Sequence, residues 1–493
     1  MGQGLLLLTC VGKENIYLSS EPDITFFKAS YKRYTNFLTE TAVQYFTNTP
    51  DFGRCATVNI SKNADLLSNI YIYVKLPDIV KSNHSILPEN IKKFRWVNKI
   101  GLAIIKYVDL EIGGTLIERN FSDWLNIWYE LNLDYGKTNA FNKMIGNIEV
   151  LTSFTNSKSS YELNIPLNFW FCQDAGIALP LISMIHDVIK IHVEFNSFTS
   201  VYNESPTNYM QVNELFCLFT YGELIKQTVV DKLAIGIFVY YDNIKQYIYY
   251  NKVKGDFITP SELDKRYVVV GSDSLFEINI TPNTLITQDE PYFKYNYPSI
   301  IESYLLVNYI YLDNDERFVF LNKSHDYLIP MVQNIHEQFF NSANITYKIP
   351  FINSNKVIFW RAQLNSNIMT NDLFNYSLYP ITNKYNNIIE KEYINLNSIN
   401  SMSLANIELY TNLQIYLNNY TSSSTGINMY SFSLYPKCYQ PSGSLNFSSI
   451  DNSYIKITLN NTINYQNSVS IKGYGLQYNI FKIVDGLSTL EFV

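Results

Sequence analysis

Five histidines, His84, His186, His192, His325 and His336, supply all the imidazole in the chain, and none belongs to a His-x-x-x-His or His-Glu-x-x-His pair. Such pairs present two nitrogens to one metal. His186 and His192 stand six residues apart; on one strand they would share a face about 20 Å apart, too far to share an ion. Solvated or interface imidazoles are therefore expected. Asp313, Asp315 and Glu316 beside Arg317 gather hard oxygen ligands, but without the regular spacing and the glycine of a calcium loop. They read as a charged turn at a strand end. Cys10, Cys55, Cys172, Cys217 and Cys438 are odd in number, far apart and never Cys-x-x-Cys, which argues against a disulfide framework and a zinc knuckle and fits a reducing compartment. No Gly-x-Ser-x-Gly elbow, phosphate loop or dinucleotide fingerprint occurs, and Gly473-Tyr474-Gly475 is too little to make one. A carboxylate pair for glycoside hydrolysis remains open among 44 acids, with no spacing that points to it. The expectation is a chain with no catalytic, cofactor-binding or metal-binding residue, and no cofactor.

The elements that would carry any such site are β-strands. Ile189, Ile191, Val193 and Phe195 alternate with Lys190, His192 and Glu194, the period of a strand with one wet face. Ile70, Ile72 and Val74 repeat the pattern, as do Ile455, Ile457 and Leu459. Val108, Leu110 and Ile112 alternate and then meet Gly113-Gly114, a pair suited to the positive φ angles of a tight hairpin. One helix interrupts: Trp124, Ile127, Trp128 and Leu131 fall at helical spacing after Ser122, a residue type that caps helices. It reads as an amphipathic helix covering a sheet. Many short strands between Asn, Gly, Ser and Pro predict an all-β chain of jelly-roll or Greek-key sandwiches.

At 493 residues the chain exceeds the roughly 250–300 residues at which one core stops growing, so two domains or more are expected. Hydrophobic residues are 47%, with 41 Tyr and 30 Phe, enough to build large cores and contact surfaces. The 37 basic and 44 acidic residues leave a net charge of -7, so no basic face is offered to phosphates and nucleic-acid binding is not expected. Leu5 to Leu8 form too short an apolar run for a secretory signal, with Lys13 and Glu14 close behind. No run approaches about 18 apolar residues, so no spanning helix is expected. Leu6 stands where myristoylation after Met1-Gly2 would want Ser or Thr. Sequons such as Asn120-Phe-Ser arise by chance in so Asn- and Ser-rich a chain.

Ile24-Thr-Phe-Phe-Lys28 followed by Tyr31-Lys-Arg-Tyr-Thr-Asn-Phe37 closely resembles the opening of the double jelly-roll major capsid proteins of nucleocytoplasmic large DNA viruses. Further blocks keep that family's order: Val108-Asp-Leu-Glu-Ile-Gly-Gly114, Ile165-Pro-Leu-Asn-Phe-Trp-Phe171, Ala178-Leu-Pro-Leu-Ile182 with His186-Asp-Val188, and Tyr309-Ile-Tyr-Leu-Asp313 running into Glu316-Arg-Phe318. Tyr430-Ser-Phe-Ser-Leu434, Gln440-Pro-Ser-Gly443 and Asn446-Phe-Ser448 with Ile450-Asp451 carry the likeness toward the C-terminus. Two departures bear on role rather than fold. Ser449 stands where the family usually has arginine, and Val484-Asp-Gly-Leu-Ser-Thr-Leu490 replaces a block commonly rich in Gly and Met, as a divergent paralogue would.

The resemblance implies two consecutive jelly rolls. It divides the chain into an arm over 1–24, a first jelly roll over 25–315, a connection over 316–330 and a second jelly roll over 331–493. The first half is too long by about 100 residues. The surplus lies at 197–300, where strand signals at Ile235–Tyr241 and Tyr267–Val270 predict a β-rich insertion, since a structureless loop of that length is unusual. The resemblance further implies a structural, non-enzymatic role in the virion shell after assembly in the host cytoplasm. The implied unit is a homotrimeric, pseudo-hexagonal capsomer in an icosahedral lattice, with neighbouring capsomers, minor capsid proteins and an inner membrane layer as partners and no direct nucleic acid. A glycan- or receptor-binding surface protein and a glycan hydrolase built on paired jelly rolls are the other readings of the same fold.

Overall fold

The computed structural model describes residues 3–79, 94–155, 157–204, 206, 208–214, 216–219, 223–229, 232–242, 246–259, 267–272, 274–287, 297–378, 387–397, 399–400, 407–421, 426–460 and 468–492. Two compact units emerge, Met1–Phe37 and Leu38–Val493. The first carries two short helices, Gln3–Thr9 and Lys13–Ser19, and leaves Tyr17, Leu18, Phe26 and Phe27 exposed.

The second unit begins with a sandwich of two antiparallel sheets. One orders its strands Phe37–Gln44, Glu302–Leu312, Leu66–Leu76, Tyr161–Pro166; the other orders them Cys55–Asn59, Ile189–Phe195, Ile105–Ile112, Thr115–Phe121. Strict alternation along Ile189–Phe195 points Ile189, Ile191, Val193 and Phe195 inward, where they meet Ile72, Val74, Val108, Leu110, Leu305 and Val307 in one core. Gly113 and Gly114 take φ of +59° and +85° and pair Ile112 with Thr115. A Cβ on Gly113 would also stand 2.8 Å from Asp187 Oδ1, so glycine is required there twice over.

A second sandwich repeats the plan. Its sheets order His325–Asn334, Val469–Val484, Ser354–Leu364, Ile427–Ser431 and, facing them, Asn344–Lys348, Ser453–Leu459, Ile389–Leu396, Ile399–Asn400. Numbered in chain order within each sandwich, the main strands run 1-8-3-6 against 2-7-4-5 in both, which is the jelly-roll winding. Ile345, Tyr347, Ile358, Trp360, Ile455 and Ile471 fill the second core.

Several expectations need correction. The connection over 316–330 is instead a helix, Asn314–Asn322, followed at once by His325–Asn334, which pairs from His325 with Ile483 onward. The first strand of the first sandwich starts only at Phe37. Ser122 does not cap its helix, Ser122–Asn132. Phe121 occupies the cap position, and the Ser122 hydroxyl donates to the carbonyl of Leu102 in the buried helical turn Ile100–Ala103 at 2.8 Å.

The surplus in the first half is a closed barrel ordered Asn208–Val212, Tyr247–Lys254, Lys232–Asp242, Leu224–Val229, Val268–Gly271, Glu277–Thr287. Closure leaves no free edge, and Met210, Val212, Ile225, Phe238, Ile248, Val269 and Ile278 fill it. The flanks assigned to it at 197–300 belong elsewhere: Phe198, Val201 and Ile300 lie in the first sandwich's core, and Tyr202–Glu204 pairs with Phe94–Trp96. Across the base, the Phe198 and Tyr297 rings are 5.4 Å apart, so entry and exit meet.

Replacing 206–296 with a short Gly-Ser linker is expected to leave the thermal unfolding midpoint of the sandwiches nearly unchanged, since long loops close at modest entropy. Extending the cut to 199–300 removes Val201 and Ile300 and is expected to cost roughly 2 kcal/mol or more through the cavity left behind. Comparing the two in a thermal melt checks the boundary; equal midpoints would refute it.

Candidate functional site

The residues that fix how the two sandwiches meet start from one register pair. Arg361 and Lys472 are Cα partners on adjacent strands of the second sandwich, so both side chains leave the same face of the sheet. Both are buried. That face is covered by the helix Ser122–Asn132 of the first sandwich, whose Trp124, Ile127 and Leu131 pack with Val357, Phe359, Met429, Tyr474 and Leu476. Trp124 lies 5.1 Å from the Tyr474 ring and 5.6 Å from that of Phe359. The helix brings Asp123 in its first turn, where the helix dipole favours an anion.

Asp123 is saturated by donors. Its Oδ1 accepts from Lys472 Nζ at 3.1 Å and from the Tyr474 hydroxyl at 2.5 Å, and its Oδ2 accepts from Arg361 Nε and Nη2 at 3.3 and 3.1 Å. Arg361 also donates to Ser470 Oγ at 2.9 Å and Glu337 Oε1 at 3.0 Å. Lys472 Nζ sits 3.7 Å above the Phe121 ring centroid. Burial alone would raise the Asp123 carboxyl, but Lys472 and Arg361 outweigh it and hold it well below the usual carboxylate range. With its lone pairs engaged, this cluster is a joint that sets the angle between lobes and has no proton to give or take.

A second tie joins the same lobes. Asp187 Oδ2 accepts from the Ser488 amide and hydroxyl, each at 2.6 Å, and the His186 amide donates to the Gly486 carbonyl at 3.1 Å. The 484–490 block that departs from the family pattern thus docks on the first sandwich.

The sequence-singled residues scatter. His186 lies in the bend before Ile189–Phe195, drawn to the 484–487 hairpin, and so does not share a strand face with His192. The His192 ring nitrogens lie 2.9 Å from Glu111 Oε2 and from Thr57 Oγ1. His325 Nε2 lies 2.9 Å from the Phe320 carbonyl, His336 is exposed, and His84 lies outside the described residues. Asp313 caps the helix Asn314–Asn322, with Asp315 and Glu316 in its first turn. The acidic cluster is therefore a helix start rather than a turn, and Arg317 pairs with Asp65 at 3.1 Å. Among the described residues no three His, Cys, Asp or Glu converge to hold a metal ion. The five cysteines are free thiols. Cys172, pushed up to about 12 by burial, borders a cavity of 310 Å³ also lined by Tyr71, Trp128, Tyr129 and Asn168.

Sequence reasoning missed the joint. Its signal was present: Arg361 and Lys472 interrupt apolar runs, Val357-Ile-Phe-Trp-Arg-Ala362 and Val469-Ser-Ile-Lys472. Two buried carboxyls were missed as well. Burial pushes Glu118 and Glu392 up to about 8, and the Trp360 indole donates to Glu392 Oε2 at 2.8 Å.

Surface left open by this unit is apolar in several places. Phe318, Val319 and Leu321 are exposed on the inter-lobe helix, Leu413, Tyr416 and Leu417 on another, and Leu434 and Tyr435 beyond it. Phe37–Gln44 is an edge strand exposed along most of its length, the kind of edge that recruits another chain unless covered.

Comparison with known proteins gives a consistent result. Residues 25–250 match the major capsid protein N-terminus family, and residues 316–489 match the large eukaryotic DNA virus major capsid protein family. The chain is 33% identical to probable capsid protein 4 of Acanthamoeba polyphaga mimivirus over all of itself and 99% of that protein. It is 26% identical to the major capsid protein of Pyramimonas orientalis virus over the full length of both. The Faustovirus major capsid protein shares the fold at 12% identity, with a TM-score of 0.65 over 96% of this chain and 94% of that one.

Asp123→Asn is expected to destabilise the chain by roughly 3–5 kcal/mol near neutral pH, because buried Lys472 loses its counter-charge and buried Arg361 keeps only Glu337. The Asp123 carboxyl is depressed, so its stabilisation is present above the ordinary carboxylate range and lost as pH falls; the deficit of the variant should shrink in acid. Glu392 behaves oppositely: its stabilising effect is full below the ordinary 4.5 and lost as pH climbs toward about 8. Glu392→Gln keeps an acceptor for Trp360 and is expected to gain on the parent by a few kcal/mol, on the order expected from linkage, between pH 5 and pH 8. Urea midpoints at several pH values check both. Maleimide should label Cys10, Cys55 and Cys438, which are exposed, and spare Cys172 until the chain unfolds; peptide mapping of labelled native protein decides.

Proposed function

The chain belongs to the large eukaryotic DNA virus major capsid protein family, a family of structural shell proteins, and from that membership we propose that three copies close into one pseudo-hexagonal capsomer. The observation that carries the reading is the repetition of one strand order, 1-8-3-6 against 2-7-4-5, in both halves of the chain. Two equivalent lobes per chain give six per trimer, and six near-equivalent lobes tile a flat lattice as a hexagon does. The joint at Asp123 supports it, because a tile needs its two lobes held at one angle. We place the division between lobes in the helix Asn314–Asn322.

Trimer closure covers sheet edges and exposed apolar side chains that a lone chain leaves in water. Between tiles, many weak contacts allow errors to be corrected during growth and still sum to a durable icosahedral shell. Neighbouring capsomers, minor capsid proteins and the membrane layer beneath are the partners this role requires. A net charge of -7 suits a shell that does not touch the genome. The chain works in the virion shell as a scaffold, with no catalytic, cofactor or metal residue assigned.

Light scattering on the soluble protein is expected to give about 172 kDa, three times the 57.2 kDa chain, as closed threefold symmetry requires. A monomer that persists at micromolar concentration would sink the capsomer reading and leave surface binding as the better account.

A further inference from the structure

The register of the inserted barrel tells which of its ends is free. Asn208 pairs with Thr287, and Val212 pairs with Ile280, so chain entry and exit lie together. The segment after Val212 and the turn before Glu277 therefore lie at the opposite end. That distal end is apolar where apolar side chains are least favoured. Phe216 is 59% exposed, Leu218 60% and Leu275 74%, and the Phe216 and Phe276 rings, 6.1 Å apart, join the two loops.

The turn that carries Leu275 is built rather than slack. Leu275 adopts φ of +52°, a left-handed conformation that costs a non-glycine residue energy and persists only when its surroundings impose it. The imposing group is Glu223, which is buried and accepts from the Ser274 amide and hydroxyl at 2.7 and 2.8 Å. Gly271 makes room for it, since a Cβ there would stand 2.1 Å from Glu223 Oε1. Three further backbone donors of the turn are bonded from within: Gly271 to the Phe276 carbonyl at 3.0 Å, Ser272 to the Leu224 carbonyl at 2.9 Å, and Phe276 to Ser274 Oγ at 3.2 Å.

A turn that bonds the amides of Gly271, Ser272, Ser274 and Phe276 internally and holds Leu275 outward lowers the cost of entering hydrocarbon, where an unpaired N–H is expensive. A sugar would want hydroxyl partners, and the three outward side chains offer none. Segment 197–300 holds twelve Asp and Glu against eight Lys and Arg, which disfavours anionic lipid. We propose that the distal tip of the barrel, through Phe216, Leu218 and Leu275, inserts into the interface of zwitterionic membranes. Three side chains make each contact weak, and repetition of the barrel over many copies would make it firm. This goes beyond the shell role and does not depend on the trimer.

The test is flotation of the full chain with phosphatidylcholine vesicles over a range of lipid concentrations. Binding is expected, insensitive to salt and no stronger when phosphatidylserine is added. Leu275→Gly is expected to weaken it about tenfold, as loss of one buried leucine implies, while the thermal midpoint stays level or rises because glycine relieves the positive φ. Phe216→Asp should weaken it at least as much with an unchanged circular dichroism spectrum. Absence of flotation at millimolar lipid would overturn the proposal, as would binding that survives both substitutions or requires phosphatidylserine and low salt. A glycan array hit lost in Leu275→Gly, with vesicles ignored, would overturn it in favour of a carbohydrate partner.

Discussion

Arg361 and Lys472 place two positive charges side by side on one sheet and out of water, and Asp123, arriving from the other lobe, bonds both, with Glu337 a second partner for Arg361. Two buried cations are costly to desolvate and repel each other, and neither can lose its charge cheaply. The counter-charge is carried on a helix whose apolar stripe must cover the same sheet. Hydrophobic burial and charge pairing thus demand one docking pose. Covering the sheet on both faces also explains why Ser354–Leu364 is buried along nearly its full length, unlike the half-wet strands of the first sandwich.

A rigid joint holds the two lobes at one angle, as the proposed capsomer requires. The C-terminal hairpin held by Asp187 adds a second fixed point, and two ties resist rotation that one would permit. Apolar surface remains on the outside: an exposed edge strand, and Phe318, Leu321, Tyr416 and Leu434 in water. Interiors closed in this way leave association as the remaining route to bury apolar surface.

The insertion follows the same economy by another means. A barrel abolishes its own edges, so it can be carried between two strands of a sandwich without competing for their pairing. Its ends meet at Phe198 and Tyr297, and its strained, internally bonded tip is spent on presenting Leu275 rather than on stability.

Alternation alone determined that Ile189–Phe195, Ile70–Val74 and Ile455–Leu459 are strands, and Gly113-Gly114 determined a hairpin, because period-two burial and positive φ are local properties of the chain. The family blocks, in order along the chain, determined two jelly rolls. Tertiary structure alone decided the rest. Ser122 is a plausible cap by type, yet its hydroxyl serves Leu102 because that carbonyl lies nearer in the folded chain. Phe198 and Val201 sit within the apparent insertion but fill the first sandwich's core, since burial depends on neighbours remote in sequence. Asp123, Arg361 and Lys472 are 111 to 349 positions apart. Electrostatic pairing acts through space, and only the folded chain places them within hydrogen-bond reach.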